Sequence, residues 1–359
     1  MSVAKQGIEL TKLTRFLQQY CTTHLADTWD NVGLLVEPSP PHLVDKILVT
    51  NDLTEPVLAE AIRNQARLIL SYHPPIFTPF KRLTQFSWKE RIVIRCLENR
   101  IAVFSPHTGL DAKDGGINDW LLSPFAFERI QSVIPAVRRS ESYVYLRVPF
   151  THNFGQFCMT VPVTGIQTDI PSAHGRVAEV KCPVEHVSAA LQQLQLLGIP
   201  VLDQGPGAET DTCKEGYGRV GYLKSPLKLS DVISQYKTLF CSDQLLVAFG
   251  NGKTLDDTVR TIGVCAGSGG SVFREERTSF ADLLVTGELS HHERLDAVAR
   301  GTTVILAGHS VTERGFLSSQ LIPDLRALLR NASAFGDTNS ECQVSIVMAS
   351  TDEEPGAVV

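Results

Sequence analysis

The 359-residue chain predicts an α/β protein with two pseudo-related α/β lobes and a mainly parallel sheet, interrupted by a small α+β insert. Three observations predict it. Short apolar segments recur in both halves of the chain, each closing on polar or glycine-containing residues. Helical patterns fill most of the intervals, and alternation of strand and helix means βαβ units around a parallel sheet covered on both faces. Between about 135 and 215 that alternation stops and then resumes. The expected division is therefore a first lobe over 1–134, an insert over 135–215 and a second lobe over 216–359. A single continuous domain with a divergent middle is the alternative.

The elements follow in order. "IELTKLTRFLQQY" brings Ile8, Leu10, Leu13, Phe16 and Leu17 near helical spacing. "DTWDNVGLLVE" (27–37) suggests a loop with Trp29 and Asn31, then a short strand from Gly33. Strands are expected in 45–53, 66–73 and 99–107, with helices "TEPVLAEAIRNQ" and "WKERIVIRCLENR" between them. The insert holds "FGQFCMTVPV" (154–163), "GRVAEVKCPV" (175–184), a helix over 185–198 and the glycine- and proline-rich stretch 203–221. Beyond it come a helix over 229–240 and strands in 259–270, 281–288, 302–309 and 342–351. Helices "SHHERLDAVARG" and "TERGFLSSQLIPDLRALLRN" separate the last three.

Composition excludes several classes. Hydrophobic residues make up 43% and charged residues 20%, as in an average globular protein. The net charge of -6 draws the chain neither to nucleic acid nor to an anionic membrane. No apolar run is long enough to span a bilayer. The first residues lack the apolar stretch of a secretory signal. A mitochondrial presequence is the alternative, against which Glu9 and the lack of clustered arginine weigh. Eight cysteines form no C-x-x-C pair and read as buried free thiols in a reducing compartment, the cytoplasm or nucleus. No nucleophile elbow, kinase motif set or Walker A sequence occurs.

The stretch "LILSYHPPIF" (68–77) ends a buried strand on Tyr72 and His73 and then stops on Pro74 and Pro75. Neither proline has an N–H to donate to a ladder. Two more strands end alike, on Ser105-Pro106-His107 and on Gly308-His309. In open α/β sheets ligands bind beyond the carboxyl ends of strands, so three histidines can converge there. Two carry a carboxylate at i+4, His107 with Asp111 and His309 with Glu313, one helical turn away. Imidazoles and carboxylates converging suit Zn, Fe or Mn, one or two ions per chain. The alternatives are that His107 caps the next turn and that Asp111 and Glu313 complement helix dipoles. Two weaker features remain. "CAGSGGS" (265–271) is either an anion-cradling loop or a structural turn. "TGELSHHERLDA" (286–297) sets Glu288, His291 and His292 after a strand, where only one of the adjacent histidines faces a given direction.

"WDNVGLLVE", "TNDLTE", "ILSYHPPIF", "SPHTGLDA", "CAGSGGS", "LVTGELSHHERLDA" and "HSVTERGFL" resemble, in order and spacing, the Nif-three-like family, also called type 2 GTP cyclohydrolase I-like proteins. The resemblance covers both lobes, and long members carry a CutA- or PII-like module where the insert lies. It implies a di-metal site on His73, Asp111, His309 and a bridging Glu313, with His107 lining the same cavity. It implies self-association into a homohexamer, a dimer of trimers. The activities that go with it are metal-dependent hydrolysis of a small, nucleotide-like substrate or a non-enzymatic adaptor role with protein partners in transcription regulation. In a hydrolase, Glu288, His291 or His292 would shuttle the proton. One departure stands out: many bacterial members have two consecutive histidines in the first motif, and here the first is Tyr72. A phenol is a poor ligand near neutral pH, so one metal position is expected to be weakened.

Overall fold

In the computed structural model the described residues are 7–136, 143–151, 153–161, 165–172, 175–206, 214–330 and 344–356. They form two compact units, one running to Ala136 and resuming at Lys214, the other spanning Val137–Cys213.

Two sheets organise the larger unit. The first has five strands in the order Ser345–Met348, Lys46–Thr50, Leu68–Ser71, Ala102–Ser105, Gly33–Val36. All neighbours pair in parallel except the last. Leu68–Ser71 and Ala102–Ser105 are buried at every position, which is why they read as unbroken apolar runs. The second sheet has six strands in the order Leu246–Ala248, Thr303–Leu306, Leu283–Glu288, Thr258–Ser268, Gly216–Lys228, Phe127–Pro135. Its three inner strands Thr303–Leu306, Leu283–Glu288 and Thr258–Ser268 are parallel, and antiparallel strands flank them. Parallel pairing thus holds at the centre of both sheets, while the second is mixed overall. The C-terminal strand Ser345–Met348 belongs to the first sheet, and Phe127–Pro135 belongs to the second.

One apolar core joins the sheets. Val49, Leu70 and Phe104 from the first share a cluster with Ile262, Val285 and Ile305 from the second, and helices supply Leu13, Trp120, Tyr236 and Leu321. The outer face of the first sheet packs under Glu55–Arg63 and Trp88–Glu98 through Val57, Leu58, Ile92 and Cys96. Thr54 caps the first of these helices by accepting from the Val57 N–H, with Pro56 in its opening turn. Ser290 and Glu293 form a reciprocal capping box on His291–Ala299. The expected helix from 312 widens into a π turn over Leu317–Leu321 between Val311–Phe316 and Ile322–Leu329. Pro323 has no N–H to donate back into the preceding turn, which accounts for the irregularity there.

The smaller unit has a four-stranded antiparallel sheet, ordered Asp203–Pro206, Tyr143–Pro149, Gly175–Pro183, Gly165–Ser172, with helices Phe154–Thr160 and Val184–Leu196. Its own core includes Leu146, Val148, Phe157, Val180 and Leu194.

The cysteines depart in part from the expectation. Cys21, Cys96 and Cys265 are buried free thiols and Cys182 is buried too, whereas Cys158 is half-buried and Cys241 exposed, on a turn where no apolar layer covers it. Cys213 and Cys342 lie outside the described residues. No helix among the described residues is long and apolar enough to cross a membrane.

Candidate metal centre

The three histidines leave the ends of three strands. Leu68–Ser71 and Ala102–Ser105 are parallel neighbours, so His73 and His107 emerge side by side with ring centroids 5.4 Å apart. His309 follows Thr303–Leu306 of the second sheet, and its ring lies 5.2 Å from that of His73. The His73 N–H donates to the Asn51 carbonyl at 3.0 Å before Pro74 and Pro75 turn the chain away. Val311–Phe316 begins two residues after His309 and brings Glu313 back over it, with Nε2 3.5 Å from Oε1.

His73, His309 and Glu313 each present a ligand atom, and these atoms lie within 4.8 Å of one another. The outer nitrogen of each imidazole is held by a carboxylate. His73 Nδ1 lies 2.9 Å from Asp52 Oδ1, and His309 Nδ1 2.9 Å from Glu288 Oε1. A carboxylate only accepts, so both Nδ1 atoms donate and both Nε2 atoms turn toward Glu313, the orientation that carboxylate–histidine–metal arrangements use. Glu313 is 2% exposed, and its Oε2 accepts from Asn51 Nδ2 at 3.1 Å. The other atom of that amide, Asn51 Oδ1, is buried without a partner among the described residues. Two imidazoles, a buried carboxylate and a spare amide oxygen fit a divalent transition ion.

The electrostatics agree. Burial opposes a charge on His73, but Asp52 and Glu313 outweigh it and raise its pKa to about 10. Burial would also raise Asp52, yet His73 and Asn51 hold it below its ordinary value. The pocket therefore favours a positive charge between its carboxylates.

His107 and Asp111 line an adjoining cavity of about 470 Å³, together with Glu313, His309, Tyr72 and Trp29. His107 holds a positive φ of 31° and its Nδ1 bonds Asp30 Oδ1 at 2.7 Å, so it does more than begin the Thr108–Ala112 helix. Asp111 accepts a hydrogen bond from the Tyr72 hydroxyl. Burial raises the Asp111 carboxyl to about 6, against a lowering by His107. Tyr72 is buried too, and burial beside Asp111 and Glu313 pushes its phenol well above the ordinary range. It stays a protonated donor.

Glu288, His291 and His292 separate. Glu288 reaches the cluster through His309. His291 and His292 sit exposed at the start of His291–Ala299, ring against ring at 5.5 Å, and His292 lines a different cavity of about 490 Å³. The stretch 265–271 is the end of Thr258–Ser268 and the turn after it, and it approaches the centre through Gly267, where an added Cβ would lie 2.7 Å from Glu313 Oε1. The sequence reading assigned no role to Asp30, Asn51 or Asp52. All three stand in "WDNVGLLVE" and "TNDLTE", and a carboxylate just past a strand or turn in those stretches was the available signal.

A model of the family Duf34/NIF3 (NGG1p interacting factor 3) matches residues 8–349. NIF3-like protein 1 of Homo sapiens is 36% identical over 375 residues, covering 99% of this chain and 94% of its own. NGG1-interacting factor 3 of Saccharomyces cerevisiae is 29% identical over 326 residues, covering 88% and 90%. Among solved structures, a Bacillus cereus protein related to NIF3 superposes with a TM-score of 0.67 at 23% identity, covering 99% and 100%, a likeness of fold.

Proposed function

The chain belongs to the Duf34/NIF3 family, and on that premise we propose that it is a metal protein resembling a dinuclear hydrolase, acting on a small, nucleotide-like ligand admitted to the cavity beside His309 and Glu313. One observation carries this reading: two imidazoles and a carboxylate converge within 4.8 Å, and two of the three face a cavity of about 470 Å³. A divalent ion held there supplies Lewis acidity toward a water or a substrate oxygen. Asp52 and Glu288 act as positioning residues, each fixing one imidazole by its Nδ1 proton. Since Glu288 already accepts from His309, its part in this reading is orientation and not proton shuttling. Asp111, whose carboxyl burial raises to about 6, holds or releases a proton at the cavity wall or completes a second metal position. Tyr72 weakens that second position, because its hydroxyl occupies an Asp111 oxygen as a donor.

Metal analysis of the purified chain tests the reading. Wild type is expected to hold at least one divalent transition ion, His309→Ala and Glu313→Ala to lose it, and Tyr72→His to move stoichiometry toward two per chain. A chain that carries no metal and takes up none overturns the proposal.

A second reading, an adaptor working through protein partners, draws on the loop before Trp88–Glu98. Phe86 is 93% exposed there, beside the exposed Leu83 and Trp88. It is held firmly: Glu90 accepts from the Thr84 N–H at 2.7 Å, and Arg91 donates to the Gln85 carbonyl while paired with Glu55. A rigid apolar projection suits a protein contact, and the yeast relative is named for interaction with NGG1. Metal-loaded protein that turns over none of a panel of phosphoesters and heterocyclic nucleotides would favour this second reading.

A further inference from the structure

We infer that Asp352, on the segment after the C-terminal strand, is a positioning residue of the metal centre, locking together the two elements on which the cluster is built. The inference rests on the metal reading above. The side chain of Asp352 is 1% exposed. Its Oδ2 accepts from the backbone N–H of Asn51 at 2.7 Å, and its Oδ1 lies 3.5 Å from that of Asp52. Those two residues are the ones whose side chains reach the cluster, Asp52 to His73 Nδ1 and Asn51 to Glu313 Oε2. The same carboxylate also receives Arg314, with Nε at 3.3 Å and a terminal nitrogen at 3.4 Å. Arg314 is the residue after Glu313, on Val311–Phe316. One buried carboxylate therefore grips the turn that aims His73 and the helix that delivers Glu313.

The segment itself is fixed. The Ala349 N–H continues the ladder to the Val49 carbonyl at 2.8 Å. Glu60, buried on Glu55–Arg63, accepts from the Ser350 N–H, the Thr351 N–H and the Thr351 hydroxyl. An aspartate suits position 352 because every group facing it is a donor, so both of its oxygens are used. Asparagine would turn an NH₂ toward an N–H or a guanidinium and release one of the two elements. Losing the outer support of a metal ligand characteristically lowers affinity on the order of 10-fold or more.

The test compares full-length wild type, Asp352→Asn and Val347→Ala. Val347 lies on the same terminal strand but packs toward the outer face of the first sheet, so its truncation controls for lost stability alone. Zn²⁺ affinity of metal-stripped protein is measured against a chromophoric chelator, and melting is followed on the same samples. Asp352→Asn should weaken Zn²⁺ on the order of 10-fold, with Val347→Ala binding as wild type at a comparable melting loss. Wild-type affinity in Asp352→Asn, or equal weakening in both variants, overturns the inference. If wild type takes up no Zn²⁺, the metal reading fails, and the positioning role is judged on histidine-labelled apo protein. The His73 ring-nitrogen resonances must then move in Asp352→Asn and stay in place in Val347→Ala; unmoved resonances overturn it.

Discussion

Asp111 is the residue at which stability and the proposed chemistry pull apart. Its carboxyl rises from an ordinary 3.8 to about 6, chiefly by burial, in a site whose only direct hydrogen bond among the described residues comes from Tyr72. The sign follows from proton counting. Between those two values the folded state keeps a proton that the unfolded state has released, so stability falls as pH rises through that window and stays reduced above it. In metal-stripped protein Asp111→Asn removes the titration yet still accepts from the Tyr72 hydroxyl. It should be more stable than wild type at pH 8, on the order of 3 kcal/mol, and the advantage should vanish near pH 4. Urea unfolding across that range checks it, and a difference that does not vary with pH would refute the assignment. This residue was visible in the sequence because it stands one helical turn after a strand-end histidine, as Glu313 does. Asn51, Asp52 and Asp30 were not, since their bonds to His73, Glu313 and His107 join segments far apart in the chain.

At the scale of elements, the centre is a meeting of strand ends, and the irregular end of Thr258–Ser268 closes it from one side. Gly267 sits there at a φ of +63°, and a Cβ would come within 2.7 Å of Glu313 Oε1 and 3.0 Å of His309 Nε2. Neither role read from "CAGSGGS", an anion-cradling loop or a structural turn, accounts for this glycine; close approach does, because a side chain would take the space of the ligand atoms. Gly267→Ala should cost about 1–2 kcal/mol through its left-handed backbone and should also abolish metal uptake. Gly252→Ala is the matched control, with a φ of +74° but open space around the added methyl. It should carry the backbone cost and bind metal normally; equal uptake by both variants would show that the Gly267 contact does not matter. The inner strands of both sheets were legible because burial on both faces leaves continuous apolar runs. Phe127–Pro135 and Gly216–Lys228 were not. Their burial is uneven along the strand, and glycines interrupt the second, so neither shows a continuous run.

For the whole molecule the question is whether the insert contributes to the fold that holds the site. Among the described residues, the core clusters of the larger unit hold none from the insert, whose own cluster runs from Leu146 to Ile199. The chain also leaves and re-enters the larger unit at adjacent points. Pro135 pairs with Gly216 across an antiparallel ladder, and the Ala136 N–H donates to the Glu215 carbonyl at 3.0 Å. Ends that close need only a tight turn, and Asn-Gly supplies the positive φ values that a two-residue hairpin loop demands. In the sequence the alternation of strand and helix stops near 135 and resumes near 215. We expect a chain lacking residues 137–213, rejoined through Asn-Gly, to melt in one cooperative transition and to take up metal with the affinity of the full chain. Closing a short loop in place of a long segment costs little entropy and leaves every donor of the cluster on its own strand end. Calorimetry and metal titration of the deletion variant decide it: an aggregated product, or a broad melt without metal uptake, would mean that the insert is needed to assemble the body that carries the site.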